Sequence, residues 1–504
     1  MNNSRKDLLS ISMYPSGLLH EYGVNGKISG SVGAVGEIKD TLLILHSPKG
    51  CGFHYRQSAR RRHQPYYQLI CSELTEQEVI LGGEDKLYET AREAYFRYHP
   101  KLIVLIPSPV SDVMNEDLFS VADRLKSEGI EAIAVRSELF SHRDREYGRK
   151  RLKELASQKI GEKNKLEVEL KGCGFTEALY ALVEQFMVKC PKIPRSINIE
   201  TVAWGSEGAC ALHEIESFLK RAGITVNCWL PSDSVEHIKR APAAELNVVR
   251  RIRWAKRMKE KFGTEYLHLG SPGRYEGLEG ISNLYLDIGE RLGVSETMRN
   301  LVEKEEKIVE ETLRDEFRVL KETRCVLVSR SLQNAPFLLR RYAKDYKMQV
   351  SAVVIRITES VKKELKITEE IEEKLIERFY EAAELYAPGC ILSLNPDEKQ
   401  TKLLFSNADI LAGTGDFRLE GQGLPVIPEK KELLSLSFES YVRSVKRMKY
   451  LIENTKEKPN LLLNKLDFSE EYFPLLAEKD VINGKIMWSR MWLEREKWKE
   501  GTRK

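Results

Sequence analysis

The chain has 504 residues, more than one hydrophobic core usually serves, so about two to four domains are expected. Hydrophobic residues make up 42% and charged residues 31% of the chain, as is typical of soluble globular proteins. A net charge of +4 over this length does not indicate nucleic acid or another polyanion as a partner. No apolar run approaches the ~18 residues that span a bilayer, and the first residues do not resemble a signal peptide, so no membrane association is expected.

Eight cysteines are scattered along the chain, at positions 51, 71, 173, 190, 210, 228, 325 and 390. No two of them form a CxxC pair. Scattered thiols without the spacing of a disulfide framework are typical of a reducing compartment. The sequence therefore predicts a cytoplasmic protein with mostly buried thiols.

The first strand follows a lead-in of little periodicity, whose glycine-rich part, Gly26 to Gly36, is predicted as loop or turn. Leu42 to Leu45 form an apolar run short enough to be a buried parallel strand. A turn with Cys51 between two glycines comes next. The glycines let the backbone bend tightly and let a bulky group approach the sulfur.

Strands and helices then alternate. Helices are predicted from Lys86 to His99 and from Glu116 to Ser127, the second stopped by Gly129. Strands are predicted from Leu102 to Ile106 and from Ile130 to Val135. This alternation predicts parallel β/α winding, with Cys51 in a loop at the carboxyl end of a strand, where open α/β sheets place their ligands.

Three segments of this region resemble, in order and spacing, the first domain of nitrogenase component 1 chains and their relatives. They are HSPKGCGFHYR from His46, CSELTEQEVILGGEDKL from Cys71 and PSPVSDVMNEDL from Pro107. The relatives include dark protochlorophyllide and chlorin reductases, the cofactor-assembly scaffold of nitrogenase and the cyclase of nickel-tetrapyrrole synthesis. The basic segment after Cys51 looks most like beta-type chains. The resemblance implies an α/β fold with three Rossmann-like parallel-sheet domains around a central cleft.

The alternation restarts beyond Pro191 to Pro194 and again from Cys325, and the segments ALHEIESFLKRAGITV and APAAELNVV also resemble the family. The charged run from Thr297 to Glu322 is predicted as a connecting helix, and Glu146 to Lys171 as a charged surface helix. The predicted units are a first Rossmann-like domain with the cluster-binding loop (1–190), a second α/β domain plus the connecting helix (191–322), a third α/β domain (323–453) and a C-terminal aromatic strap (454–504).

The resemblance implies that Cys51 is a ligand of an iron–sulfur cluster shared across a subunit interface, since such clusters need thiolate ligands. A buried loop thiol is the alternative. Cys71 matches a position that does not bind the cluster in the relatives, yet a thiol so near Cys51 could join, so Cys71 is the second candidate metal ligand. The family's third ligand position falls on Pro109, which has no side-chain donor, and Asp112 beside it is a weaker candidate. The stretch from Asn25 to Lys27 lacks the cysteine of the relatives.

The number of ligands bears on the assembly. A 4Fe–4S cluster takes four ligands, and one cysteine per chain cannot hold it. Either a different chain supplies three, or Cys71 joins Cys51 and two copies supply two each. The resemblance favours the first arrangement, a heteromer with a related component 1-like chain, which receives electrons from a separate ATP-dependent iron–sulfur reductase.

Ligation of the family's large iron–molybdenum cofactor is not expected. The position of its cysteine ligand holds Arg250, Arg251 and Ile252, and no histidine follows His268. Arg250 and Arg251 could bind carboxylates of a tetrapyrrole or an organic acid, because a guanidinium matches a carboxylate in bidentate fashion. A solvated helix face is the alternative.

Three histidines near Cys51 in the sequence, His46, His54 and His63, could relay protons or be structural. The pair Gly82-Gly83 could suggest phosphate binding at a helix start, but a lone glycine pair is a weak signal. No nucleotide-binding fingerprint follows a strand, so the chain itself is not expected to hydrolyse nucleotide.

The sequence thus predicts a subunit of a nitrogenase-like, low-potential oxidoreductase complex. Electrons would pass from the ATP-dependent reductase through the interfacial cluster to a substrate in the interdomain cleft. One alternative is a non-catalytic scaffold or pseudo-enzyme subunit that completes a partner's cluster or helps to assemble a metallocofactor. Another is an unrelated Rossmann-like enzyme without a metal.

Overall fold

The computed structural model describes residues 27–61, 68–136, 174–200, 205–269, 275, 277–329, 331–357, 362, 367–406, 408–413, 426–428 and 436–455. Its strands form three separate sheets of four, four and five strands, and every strand pair is parallel. Parallel strands need crossover connections, and helices supply them in all three sheets. The predicted α/β fold with three Rossmann-like sheets is confirmed.

The first sheet has the strand order β2-β1-β3-β4. Its strands are β1 Thr41–His46, β2 Leu69–Cys71, β3 Leu102–Pro107 and β4 Ala132–Ala134. Its helices are Lys49–Arg61, Glu76–Leu81, Glu84–Tyr98, Pro109–Val113 and Leu118–Ser127. All residues of β1 and β3 are buried, so each strand reads as a nearly unbroken apolar run. The strand order reverses between β1 and β3, and in open sheets the carboxyl ends at such a point hold ligands.

A helix, Lys27–Val35, occupies the glycine-rich segment that was predicted as loop. A Cβ on Gly30 would lie 2.6 Å from the backbone nitrogen of Phe175, so this glycine lets the helix approach the helix Gly174–Gln185 closely. Ser31 Oγ donates to the Gly174 carbonyl at 3.1 Å. The loop prediction was wrong because this packing outweighs the low intrinsic helix propensity of glycine.

The second sheet has the order β6-β5-β7-β8. Its strands are β5 Ser196–Glu200, β6 Thr225–Leu230, β7 Leu246–Val249 and β8 Glu265–His268. Its helices are Gly205–Arg221, Val235–Lys239, Ile252–Phe262 and Gly277–Arg291, with a 3-10 turn at Ala241–Ala243. Phe175 and Trp254 lie in one hydrophobic cluster with Leu43 and Leu45 of β1, so the first two sheets share a core.

The third sheet has the order β11-β10-β9-β12-β13. Its strands are β9 Arg324–Ser329, β10 Gln349–Ile355, β11 Ile391–Leu394, β12 Ile410–Gly413 and β13 Val426–Pro428. Its helices are Ala335–Leu339, Glu369–Tyr386, Glu398–Phe405 and Phe438–Thr455, with a 3-10 turn at Leu332–Asn334 and a π-helix at Arg340–Asp345. The predicted connecting helix is two helices, Ser295–Thr312 and Arg314–Glu322, separated at the fully buried Leu313.

The predicted domain boundaries, the predicted surface helix and the predicted aromatic strap stay predictions. The strands of the first sheet end at 134 and those of the second begin at 196, while the second sheet ends at 268 and the third begins at 324. The boundaries near 190 and 322 lie within these intervals. The proposed surface helix from Glu146 to Lys171 and residues 456–504 of the aromatic strap lie outside the described residues. Within the described part of the chain, no helix combines the length and the apolar character that a membrane crossing requires.

Candidate metal centre

Two thiols lie at the carboxyl edge of the first sheet. Cys71 is the last residue of β2 and pairs with Leu45 of β1. Cys51 lies in the first turn of the helix Lys49–Arg61, which follows β1. Both cysteines are free and partly exposed. Because β1 and β2 are neighbours and parallel, their carboxyl ends bring together two cysteines that are separated by a whole helix in the chain.

The position of Cys51 corrects the sequence prediction, which placed it in a loop. The helix begins directly after Pro48, and the Cys51 N–H donates to the Pro48 carbonyl at 3.2 Å. Gly50 and Gly52 do not take the positive φ of a tight glycine turn. Both glycines instead lie in the first turn of the helix. The residue still lies at the carboxyl end of β1, as predicted.

Gly52 determines how closely the Cys71 sulfur approaches this helix. A Cβ on Gly52 would lie only 2.4 Å from Cys71 Sγ. Ser47 Oγ donates to the same sulfur at 3.5 Å, and the sulfur lies 4.0 Å from the Lys49 carbonyl oxygen. The sequence predicted that the glycines admit a group to Cys51. In the structure, Gly52 admits the sulfur of Cys71.

We expect Gly52→Ala to displace the Cys71 sulfur, because the added methyl group has no room. Overpacking of this kind costs about 1–3 kcal/mol of unfolding free energy. Chemical denaturation and the alkylation rate of Cys71 in the iron-free chain measure the two effects. Gly50→Ala is the matched control, since a Cβ there meets nothing within 4 Å and the same helix gains the same methyl group. Equal stability and equal Cys71 labelling in the two variants would contradict the prediction.

A buried polar network lies behind the thiols. His46, the last residue of β1, is fully buried, and its Nδ1 lies 2.8 Å from Ser72 Oγ. Its Nε2 lies 3.5 Å from Glu116 Oε2, which is also buried. Burial lowers the pKa of His46 to about 4, although the Coulombic interaction with Glu84 acts to raise it. The imidazole is therefore neutral at pH 7. The contact with Glu116 therefore joins a neutral ring and a carboxyl group and is not an ion pair.

Gly83 is part of this packing, whereas Gly82 is exposed and a Cβ there would meet nothing within 4 Å. Gly83 N–H donates to Glu116 Oε1 at 2.7 Å. A Cβ on Gly83 would lie 2.6 Å from Leu74 Cδ2 and 3.1 Å from the His46 ring. A carboxylate of the protein already accepts from the N–H that a phosphate would use.

The segment predicted to contain the third ligand position begins a short helix. Pro109 is the first residue of Pro109–Val113, and Ser108 is its N-cap, with Oγ accepting from Ser111 N–H at 3.3 Å. Ser108 Oγ also donates to the His46 carbonyl at 2.6 Å, which links β3 to β1. Asp112 lies on the same short helix and is partly exposed. Ser108 is thus a structural residue of this edge.

Arg250 and Arg251 follow β7 at the point where the order of the second sheet reverses. Glu200 at the end of β5 is 1% exposed and accepts from the backbone N–H groups of both arginines at 3.0 Å each. It also pairs with the Arg251 guanidinium and accepts from Trp254 Nε1 at 3.1 Å. The Arg251 guanidinium stacks 3.9 Å from the centre of the Phe175 ring. Arg251 is therefore engaged by a carboxylate of its own chain, and Arg250 is half-buried beside it.

The other described cysteines are not grouped with this edge. Cys228, Cys325 and Cys390 are buried, and burial raises the pKa of the Cys390 thiol to about 12. Cys190 is partly exposed and lies between the first and second sheets in the chain. The side chains of His54 and Cys210, and all of His63 and Cys173, lie outside what the structure describes.

A family profile described as "Nitrogenase component 1 type Oxidoreductase" matches residues 27–388 of this chain. The chain belongs to this family. The predicted resemblance is confirmed, and the match includes all three sheets in part or in full.

Individual relatives of this component 1 type chain are distant. It is 26% identical over 287 residues to the nitrogenase iron-molybdenum cofactor biosynthesis protein NifE of Clostridium pasteurianum, covering 54% of this chain and 56% of that protein. It is 26% identical to the nitrogenase molybdenum-iron protein alpha chain of Methanosarcina barkeri, covering 56% and 50%. The chain spans about half the length of these relatives. The solved structure titled "Nitrogenase Cp1 at pH 5" superposes with a TM-score of 0.57 at 18% identity, covering 86% of this chain and 88% of that one, which supports the fold.

The residues of this component 1 type chain fit an iron–sulfur cluster only in part. Thiolates are the expected ligands, and Cys51 and Cys71 are two partly exposed thiols at one sheet edge. Among the described residues, no group of three or more His, Cys, Asp or Glu side chains is placed to hold a metal ion. A four-iron cube takes four ligands, so these two thiols amount to half a set.

Sequence reasoning did not find three features of this site. It did not predict β2, because a strand of three residues gives no periodicity. It did not assign a role to Ser72 or to Glu116, which meet at His46 from distant parts of the chain. The Ser after Cys71 was visible, but no local signal links it to a histidine 26 residues earlier.

Proposed function

We propose that this chain is a subunit of a nitrogenase-like, low-potential oxidoreductase assembly. Electrons would pass from an ATP-dependent iron–sulfur reductase through a 4Fe–4S cluster at a subunit interface to a substrate in the interdomain cleft. The observation that supports this best is the placement of Cys51 and Cys71 at neighbouring strand ends of the first sheet. When bound, the cluster would supply one-electron transfer.

The residues of this chain would hold the cluster and shape its surroundings. Cys51 and Cys71 would bind it through their thiolates, and Gly52 would allow the two to belong to one site. His46 and Ser72, at the same strand ends, are both buried. The six described cysteines are free, which suits work in a reducing cytoplasm.

The half set of ligands supports a heteromer with a related component 1-like chain. Several relatives are named as single chains of a larger protein, either "alpha chain" or "beta chain". Exposed apolar side chains also lie on the elements that surround Cys51: Phe53 on its own helix, Ile80 and Leu81 on the helix after β2, and Val113 on the helix after β3. Exposed apolar side chains gathered at one edge are typical of a protein interface.

Arg250 is proposed to bind a carboxylate of an organic substrate. It lies at the carboxyl edge of the second sheet, where ligands of open α/β sheets bind. Arg251 was predicted for the same role, and its pairing with Glu200 makes it the support of this corner. A bidentate guanidinium–carboxylate contact would select for acids over neutral substrates.

Iron and acid-labile sulfide analysis of anaerobically purified protein tests the proposal. The chain expressed alone is expected to bind little iron, and co-expression with the related chain is expected to give about four irons per heterodimer. A homodimer that bears one cube, with Cys51 and Cys71 from each copy, would instead show that the chain completes its own site. Absence of iron from every assembly would contradict the cluster assignment.

Ile80→Asp together with Leu81→Asp is expected to disrupt the assembly with the related chain. These side chains are 80% and 75% exposed, so the charges cost the isolated chain little, whereas an interface would bury them. Interface anchors contribute about 2 kcal/mol or more, so the dissociation constant should rise about 30-fold or more. Native mass spectrometry measures it. Leu403→Asp, at 72% exposure on a helix of the third sheet, is the control and should leave it unchanged.

The second candidate is a scaffold that helps to assemble a metallocofactor. The match to a protein named for iron-molybdenum cofactor biosynthesis, over 54% of this chain, favours it. A scaffold would bind the cluster and release a cofactor to another protein without multiple turnovers. An oxidoreductase subunit would instead support repeated substrate reduction by the complete, ATP-supplied assembly, and that measurement separates the two.

A further inference from the structure

His46 is the node of the buried network behind the thiols. It is 0% exposed, and its ring lies 2.8 Å from Ser72 Oγ after β2 and 3.5 Å from Glu116 Oε2 before the helix Leu118–Ser127. A Cβ on Gly83 would lie 3.1 Å from the same ring. Neither Cys51 nor Cys71 contacts it through a hydrogen bond among those of the described residues. Its connection to the thiols is therefore indirect and runs through the strand ends.

The hydrogen-bond pattern fixes how the imidazole is used. Ser47 N–H donates to Ser72 Oγ at 3.1 Å, so the Ser72 hydroxyl is free to donate its own hydrogen to His46 Nδ1 at 2.8 Å. The proton of the neutral ring then lies on Nε2, which is 3.5 Å from Glu116 Oε2 and makes no hydrogen bond to it. The other oxygen of Glu116 accepts from Gly83 N–H. The hydrogen bond of the ring is therefore the one to Ser72, which links the ends of β1 and β2, while Glu116 and Gly83 pack beside the ring.

Cys71 needs such an anchor because its strand is short. β2 has three residues and lies at the edge of the sheet, so few ladder hydrogen bonds hold it. Beyond Cys71 the chain is held by Ser72 N–H donating to the Leu45 carbonyl at 3.0 Å and Leu74 N–H donating to the Ser47 carbonyl at 3.1 Å. The Ser72 hydroxyl, one residue after the thiol, adds two more bonds at the same point.

We propose that His46 is a positioning residue for the Cys71 thiol, which it holds over Gly52 through the Ser72 hydroxyl. The inference deepens the proposed function, since it assigns a means of preorganising the metal site, and it rests on that function only where cluster binding is concerned. In the iron-free chain, the inference concerns only the position of the Cys71 thiol. Preorganisation of this kind lets a metal ligand bind without first ordering its own strand end.

The test uses an isosteric pair of substitutions. His46→Asn places an amide oxygen near the position of Nδ1, where it can accept from the Ser72 hydroxyl, whereas His46→Leu fills similar space without an acceptor. Ser72→Ala removes the hydroxyl itself. The readout is the rate of iodoacetamide alkylation of each cysteine in the iron-free full chain, followed by peptide mass spectrometry. Cys190 reports on general loosening, because it is a partly exposed thiol away from this edge.

We expect Cys71 to react about tenfold faster in His46→Leu and in Ser72→Ala, because loss of a buried hydrogen bond makes opening of the strand end about that much more frequent. His46→Asn should stay within about twofold of the parent chain, with Cys190 unchanged in all three. Equal behaviour of His46→Asn and His46→Leu would overturn the proposal. So would an unchanged Cys71 in His46→Leu, or a parallel rise at Cys190.

Iron loading of the same variants separates this inference from the proposed function. If the parent assembly binds iron, His46→Leu should lower the iron content and alter the visible spectrum, and His46→Asn should restore both. If no assembly binds iron, the proposed function fails, while the labelling pattern still decides whether His46 positions Cys71. If iron binds normally in His46→Leu, the positioning role is rejected and the cluster assignment stands.

Discussion

Cys51→Ala is expected to remove most of the iron from the anaerobically assembled complex. An alanine offers no donor, and a four-iron cube that loses one of its four ligands is exposed to water and to loss of metal. We expect iron and sulfide to fall from about four per heterodimer to a small fraction of that, with loss of the cluster's visible absorption. The same substitution should leave the fold intact, because Cys51 lies at a helix start, is partly exposed and packs against the core without being one of its buried members.

Two control substitutions make this result specific to the site. Cys190→Ala removes a thiol of similar partial exposure, whose Sγ donates to the Val188 carbonyl, and it should keep the full iron content. Cys390→Ala removes a buried thiol directly before β11 of the third sheet, and it should also keep the full iron content. If the Cys51→Ala complex assembles normally and retains its iron and its visible spectrum, Cys51 is not a ligand of the cluster.

Glu200→Ala is expected to lower the unfolding free energy of the region around the second sheet by about 3–5 kcal/mol. The carboxylate is 1% exposed and accepts from two backbone N–H groups, the Trp254 indole and the Arg251 guanidinium. Removing it leaves a buried cation and three donors without their acceptor. Urea denaturation followed by tryptophan fluorescence measures the loss, since Trp254 lies at this site and is fully buried.

Glu131→Ala is the matched control for this result. Glu131 also pairs with a cation, Lys239, at 2.7 Å, but its side chain is 46% exposed. Solvent screening makes such pairs worth about 0–1 kcal/mol, so a small change is expected. A loss in Glu200→Ala no larger than that of Glu131→Ala would show that the Glu200 corner contributes little to stability.

The sequence predicted the strands of this fold well where burial is complete. β1 and β3 are buried along their whole length, and such strands read as continuous apolar runs with turn residues after them. β2 was not predicted because three residues cannot establish a hydrophobic period. The helix Lys27–Val35 was not predicted because its glycines lower the local helix propensity. Its stability comes from contacts with Gly174 and Phe175, which lie far along the chain.

The same division holds for the candidate site. The residue types were visible in the sequence: a thiol between glycines, a second thiol followed by serine, and an arginine pair after an apolar run. Their partners were not visible. Arg251 was predicted to bind a ligand, whereas in the structure it pairs with Glu200. Glu200 lies 51 positions away, and nothing near Arg251 in the chain indicates this partner. Spatial pairing between strand ends depends on strand order, which local sequence does not encode.

By itself, then, the sequence of this chain determined its family, its alternation of strands and helices, and the presence of Cys51 at the carboxyl end of the first strand. Only the tertiary structure decided that β2 lies beside β1, which brings Cys71 to the same edge and over Gly52. It also decided that Cys51 lies in the first turn of a helix and that His46 hydrogen-bonds Ser72 with Glu116 packed beside its ring. The physical reason is that hydrophobic periodicity records how a segment is buried, whereas the neighbours of each strand end follow from the packing of the whole sheet.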